Sequence, residues 1–172
     1  NQKNSILKSQ LKNIYDLYKK RLNELFDYYE NVFGLEIIIS LHPKSKYTSN
    51  DFNGRKAIKN KTHSLIKGCE FVVGHCSTAI SLAVIEYKPI VIISPDFLGF
   101  SHLSKMAKAY CEALNIKLNN FQLKNSTFYK PTININSNLY EKFIIDYFCD
   151  TRNPDNALTP NHLSKFILEL NP

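Results

Sequence analysis

The segment "CEFVVGHCSTAISLAVIEYKPIVIIS", residues 69–94, decides the fold. It opens on a short apolar run, Phe71-Val72-Val73, that stops at Gly74, and it closes on a second run, Ile90 to Ile93, entered through Lys88-Pro89. Both are rich in β-branched residues, which predicts strands buried on both faces. Between them, "STAISLAVIEY" contains neither Gly nor Pro and predicts a helix. A strand, a helix and a strand in that order make a parallel crossover unit.

Upstream, "LEIIISLHP" (residues 35–43) is a third β-branched run, predicting another strand buried on both faces. Before it, residues 5–30 carry Leu7, Leu11, Ile14, Tyr15, Tyr18, Leu22, Leu25, Phe26 and Tyr29 at helical spacing, which predicts a long amphipathic helix ending before Gly34. The polar stretch "KSKYTSNDFNGRK" reads as a loop, and residues 57–67 as a helix stopped by Gly68. After "PDFLGF" a helix is predicted from His102 to Leu114. The Asn-rich segment that follows offers one short strand over Thr132–Ile135, and helices over Leu139–Phe148 and Asn161–Leu170 complete the chain. The fold class expected is α/β: a three-layer, Rossmann-like domain around a parallel sheet. Strands near 35–41, 70–75 and 89–94 should be parallel neighbours, with the first helix across one face.

Composition narrows the function classes. The chain has 172 residues, 44% hydrophobic and 22% charged, which is ordinary for one globular domain. No apolar run reaches the roughly 18–20 residues of a membrane span, and no signal peptide opens the chain. Residues 1–172 read as a single domain. Because the chain opens on Asn1, and on a helix with no strand before it, the expectation is a piece of a larger two-domain protein. The net charge of +7 favours phosphate-bearing partners or an anionic membrane surface. Nucleic acid is not an expected partner, since no compact basic block or binding motif accompanies the charge. Cys69, Cys76, Cys111 and Cys149 form no C-x-x-C pair and no metal-ligand spacing with the histidines. They read as reduced residues of a cytoplasmic protein, and Cys76 lacks an evident base that would make it a nucleophile.

In an open parallel sheet, ligands sit beyond the carboxyl ends of the strands. Three such ends are legible: Leu41-His42-Pro43-Lys44, His75-Cys76-Ser77-Thr78 and Ser94-Pro95-Asp96. A helix starting near Ser77 leaves its first N–H groups unpaired and carries partial positive charge. Ser77 can cap that end internally. No Asp or Glu occurs from Ser77 to Ile85, however, and Gly74 leaves room for a ligand or a neighbouring backbone, which suits a bound phosphate. His42 before Pro43 reads either as a turn residue or as a phosphate donor or proton shuttle aimed off the sheet edge. His75 reads as packed at its strand end or in a similar role. His63 and His102 lie on predicted helices and read as surface residues.

Taken together, "IIISLHPKS" and "SLIKGCEFVVGHCSTAISLAVIEYKPIVII" resemble the carboxyl-terminal domain of GT-B glycosyltransferases that build bacterial surface carbohydrates. The nearest-looking branches are the sialyltransferases and polysialyltransferases, the capsule Kdo transferases and the CDP-glycerol glycerophosphotransferases. They share an HP motif, a later Ser/Thr pair and a Lys-Pro before the next strand, here His42-Pro43, Ser77-Thr78 and Lys88-Pro89. The resemblance covers about residues 35–94. It implies that His42, Ser77 and Thr78 hold the phosphate of a nucleotide-sugar donor, with Pro43, Lys44 and His75 completing the binding set.

One departure stands out: several relatives carry an acidic residue where this chain has Leu82. The sialyltransferase-like branches depend less on that carboxylate, so a CMP-linked sugar is the favoured donor. The implied reaction is sugar transfer without a metal or other cofactor, to a glycan acceptor held by a missing domain. That missing domain would also supply the catalytic base. The expected location is cytoplasmic, with peripheral contact at the inner membrane. Alternatives are a nucleotide-sugar 2-epimerase, a CDP-glycerol-type phosphotransferase and a non-catalytic Rossmann-like binding module.

Overall fold

The computed structural model describes residues 2–75, 77–95, 101–121 and 127–148. The predicted helix over Asn161–Leu170 lies outside them, as do Cys76, Asp96 and Cys149. The chain divides into two units, one built mainly from residues 1–62 and the other mainly from the residues after them.

The first unit is organised by α1 (Gln2–Phe33), the predicted amphipathic helix. It ends where Gly34, at φ +65°, donates its N–H to the Glu30 carbonyl, a left-handed cap for which glycine is suited. β1 (Ile39–Leu41) pairs in parallel with β2 (Ala57–Lys59), Ile39 opposite Ala57 and Leu41 opposite Lys59. Phe26 of α1 packs with Leu41 and with Phe52 of a 3₁₀ turn (Ser49–Phe52), and Ile39 and Ala57 close this small core. Arg55 pins the connection to α1. Its Nε donates to Glu30 Oε1 at 3.0 Å, and its other nitrogens reach Asp27, Asn23 and the Phe52 carbonyl. The guanidinium also lies over the Phe26 ring, 5.5 Å from its centre.

Two expectations change here. Residues 57–67 are not one helix: Ala57–Lys59 form β2, Asn60 turns the chain at φ +57°, and α2 (Thr62–Gly68) follows. The first strand is shorter and less buried than its composition predicts, for Leu35 and Ile38 are exposed and only Leu41 of β1 is buried. Its ladder is with β2, not with the strands near 70–75 and 89–94.

The second unit contains the predicted crossover. β3 (Val72–Gly74) pairs in parallel with β4 (Ile90–Pro95), Val72 opposite Ile90 and Gly74 opposite Ile92, with α3 (Thr78–Ile85) between them in sequence. β5 (Asn119–Phe121) adds to the other side of β4. Ile90 to Ile93 of β4 are all buried, as a central strand requires. α4 (Ser101–Leu114) and α5 (Ser137–Phe148) supply Ala107, Cys111, Leu114, Tyr140, Phe143 and Ile144 to the same core as Ile80, Ala83 and Val84 of α3. The strand predicted over Thr132–Ile135 is absent; that stretch has no regular structure, and the third strand lies at Asn119–Phe121 instead. The fold is therefore mixed α/β with short parallel ladders.

α3 ends in a tight reversal. Lys88 N–H bonds the Ala83 carbonyl at 2.8 Å and Tyr87 N–H bonds that of Val84 at 3.0 Å, with Tyr87 left-handed at φ +49°. This is a Schellman closure with tyrosine where glycine is usual. Tyr140 Oη donates to the Lys88 carbonyl at 2.9 Å, and the Tyr140 and Tyr87 rings lie 6.0 Å apart, so tertiary contacts hold the strained residue in place. Lys88-Pro89 thus delivers the chain directly into β4, where the Pro89 carbonyl accepts from Val72 N–H at 2.9 Å.

Candidate functional site

Two groups of predicted residues occupy strand ends, one in each unit. In the first unit, His42-Pro43-Lys44-Ser45 form a β-turn closed by Ser45 N–H on the His42 carbonyl at 2.8 Å, with proline at the second position as that turn favours. Lys44 N–H also donates to His42 Nδ1 at 3.1 Å. An Nδ1 that accepts is unprotonated, so the proton of the neutral ring sits on Nε2. His42 is exposed and presents an N–H donor from a fixed turn. The turn reading of His42 is what the contacts show: Nδ1 accepts from Lys44 N–H within the turn.

That turn borders an open cleft of about 580 Å³, lined by Ile39, Leu41, Lys44, Lys46, Tyr47 and Phe52 together with His42 and its neighbours. The size falls within the range of small-ligand sites. Tyr47 is anchored by its N–H to Ser45 Oγ at 3.1 Å and by rings on either side, Tyr15 and Phe52. Lys59 Nζ donates to the Ser45 carbonyl at 2.6 Å, which ties β2 to the cleft loop. Asp51 closes the far end of the loop by accepting from Thr48 N–H at 2.8 Å and from Lys19 Nζ at 2.9 Å, and these bonds hold its carboxyl below the usual aspartate range. Ser45, Lys46, Tyr47 and Lys59 were not singled out from sequence. The signal available was a pair of aromatic residues, Tyr47 and Phe52, inside a polar loop; Lys59 lay hidden in the stretch predicted to be helical.

In the second unit, Ser77 occupies the N-cap position of α3 with extended backbone, φ −154° and ψ 162°, and its carbonyl accepts from Ile80 N–H at 3.0 Å. Its hydroxyl makes no capping hydrogen bond, and the first turn holds no acidic residue. Ser77 and Thr78 are both exposed. Ser77 is a cap by position only, leaving the helix end with its partial positive charge and two adjacent hydroxyls facing solvent.

His75 is placed differently. Its Nδ1 lies 2.8 Å from the Ile93 carbonyl oxygen, which can only accept, so Nδ1 carries the proton and the ring clips the end of β3 to β4. Burial pushes its pKa down, against the opposing effect of the Ile93 bond, and the neutral ring then offers only an acceptor at Nε2. An acceptor is the wrong polarity for a phosphate oxygen. Gly74 is explained by packing: a Cβ there would meet Ile80 Cδ1 at 3.0 Å. Leu82 packs against the core of this unit.

Glu86 caps the opposite end of α3 from Ser77, with Oε1 2.6 Å from His63 Nε2. His63 is therefore not a surface residue; both partners of the pair are largely buried. Cys69 is half-buried, and burial pushes its thiol pKa up, which leaves it a poor nucleophile. Among the described residues, no three His, Cys, Asp or Glu side chains are grouped to hold a metal ion. No described helix is long and apolar enough to cross a membrane. The chain matches no protein-family model, no curated protein and no solved structure.

Proposed function

We propose that this chain is the nucleotide-binding half of a GT-B glycosyltransferase, a Rossmann-like domain that holds a nucleotide-sugar donor for transfer to a surface glycan. The observation that carries the reading is the start of α3. Ser77 stands at the N-cap with its hydroxyl uncommitted, Thr78 stands beside it, and no carboxylate occupies the first turn. Backbone N–H groups, hydroxyls and helix dipole then act together on a phosphate. The parallel pairing of β3 and β4 around α3 supports the same reading, because such crossovers bind ligands at the carboxyl ends of their strands.

In this reading Ser77 and Thr78 contact the donor phosphate. Within the first unit, His42, with Pro43 and Lys44 shaping its turn, is a separate candidate for contact with phosphate, through Nε2. His75 serves by locking a strand end rather than by touching phosphate. The acceptor and the catalytic base belong to another domain, of about 150–250 residues. CMP is the favoured nucleotide, since Leu82 in place of an acid matches the branches that depend least on a carboxylate there.

A thermal-shift panel of CMP, CDP, UDP and GDP tests the reading. A ligand that binds only the native state stabilises it by about 2.7 kcal/mol at a hundred times its Kd. CMP is expected to raise the melting temperature most. No shift with any of the four would favour a binding module that has lost its donor, a reading to which Leu82 also lends itself.

A further inference from the structure

Among the described residues, the apolar stripe of α1 outruns the protein that covers it. Leu25, Phe26 and Tyr29 are buried in the first unit, whereas Leu11, Ile14 and Tyr15, on the same face about three to five turns earlier, are 57%, 43% and 38% exposed. Charge changes along the helix in step with burial. Residues 2–20 carry five lysines against one aspartate, while residues 21–33 carry Glu24, Asp27 and Glu30 against Arg21 alone. Helical register sets Lys8 and Lys12 along one margin of the stripe, with Lys19 further along it and paired to Asp51.

From this arrangement we propose that the N-terminal half of α1 docks the protein on an anionic lipid surface, lying in the plane of the interface. An apolar face flanked by lysines is the design of an interfacial helix. Charge decides between occupants. In a dimer built on this stripe, the lysine margin of one copy would face a basic margin of the other, and like charges would oppose each other. An anionic bilayer presents the opposite charge along the whole margin. Docking would also bring the His42 cleft to the membrane, because the Tyr15 ring stacks on Tyr47 of the cleft wall with centres 6.2 Å apart. The inference is independent of any bound nucleotide.

Co-sedimentation of the 172-residue chain with vesicles tests it. Vesicles of phosphatidylcholine with about 30% phosphatidylglycerol should pellet the protein, pure phosphatidylcholine should not, and about 0.5 M salt should reduce the binding. Leu11→Ser with Ile14→Ser, and separately Lys8→Glu with Lys12→Glu, should each weaken partitioning about tenfold or more while far-UV circular dichroism and the melting temperature stay near those of the parent. Tyr15 is left intact so that its ring contact is not disturbed. Failure to pellet with anionic vesicles overturns the proposal, as does equal partitioning of both folded variants. A concentration-dependent dimer by sedimentation velocity, broken by Leu11→Ser with Ile14→Ser and unaccompanied by vesicle binding, would assign the stripe to a second copy instead.

Discussion

His75 Nδ1 donates to the Ile93 carbonyl oxygen at 2.8 Å, adding a side-chain rung just past Gly74, the last residue of β3. Burial lowers the pKa of this ring from its ordinary 6.5, and the bond to Ile93 opposes the shift only in part. The folded protein therefore takes up the proton less readily than the unfolded chain does. Stability from the neutral ring is fully present above about pH 6.5 and is lost as pH falls toward the lowered folded value, levelling off below it. The melting temperature should accordingly fall between about pH 7.5 and pH 5.5. His75→Asn keeps an N–H donor at nearly the same position but cannot be protonated, so its profile over this range should be flatter. Parallel profiles for parent and variant would mean that His75 is not the group responsible.

The uncommitted Ser77 hydroxyl makes a sharper prediction than its position in the sequence allows. A functioning cap costs about 0.5–2 kcal/mol when removed. Since Ser77 makes no capping bond, the Ser77→Ala, Thr78→Ala double variant should lose less than about 0.5 kcal/mol on thermal melting, below that range. Calorimetric titration with CMP should at the same time lose its binding signal. A double variant that binds CMP like the parent would reduce both hydroxyls to solvent-facing residues.

His42 provides the second ligand test. Its Nδ1 is occupied by Lys44 N–H at 3.1 Å, so a phosphate can be met only through Nε2. His42→Ala removes that donor while Pro43 and the Ser45 N–H bond to residue 42 preserve the turn. Affinity for CMP should weaken by about 1.5–3 kcal/mol, the range of a hydrogen bond to a charged group. Glutamine reaches about as far as Nε2 and ends in an N–H donor, so His42→Gln should recover part of the loss. If alanine, glutamine and histidine bind CMP equally, the ring serves the turn alone.

The sequence was most legible where burial is uniform. Ile90–Ile93 is buried along its whole length, and its β-branched run reads directly as a central strand. β2 was hidden because Ala57-Ile58-Lys59 suits a helix as well as a strand; only its parallel pairing with β1, eighteen residues earlier in register, makes it a strand. His63 was misjudged for a similar reason, since its partner Glu86 lies on another element and no local pattern announces the pair. The Ser77 position was legible from composition, whereas the missing capping bond and the His75 clip depend on geometry that spacing does not encode. The His42 cleft was half legible: the HP turn could be read, but the lysine that ties its loop down, Lys59, comes from β2.

Gly74 offers a test of packing at the start of the proposed phosphate site. Its Cβ position lies 3.0 Å from Ile80 Cδ1, and Ile80 is almost fully buried, so an added methyl group forces a core side chain to move. Overpacking of this kind costs about 1–3 kcal/mol, and the lower part of that range is expected because the contact is with the end of a flexible side chain. Gly74 has no positive φ, so backbone strain does not add to the cost. Ile80→Val deletes the Cδ1 atom itself, at about 0.5–1.5 kcal/mol. If steric contact is the whole reason for glycine here, the Gly74→Ala, Ile80→Val double variant should melt close to Ile80→Val alone, leaving a favourable coupling of about 1 kcal/mol in the double-mutant cycle. Additive losses would show that the glycine answers to something other than Ile80, and a ligand seated against the backbone would then be the first explanation to examine.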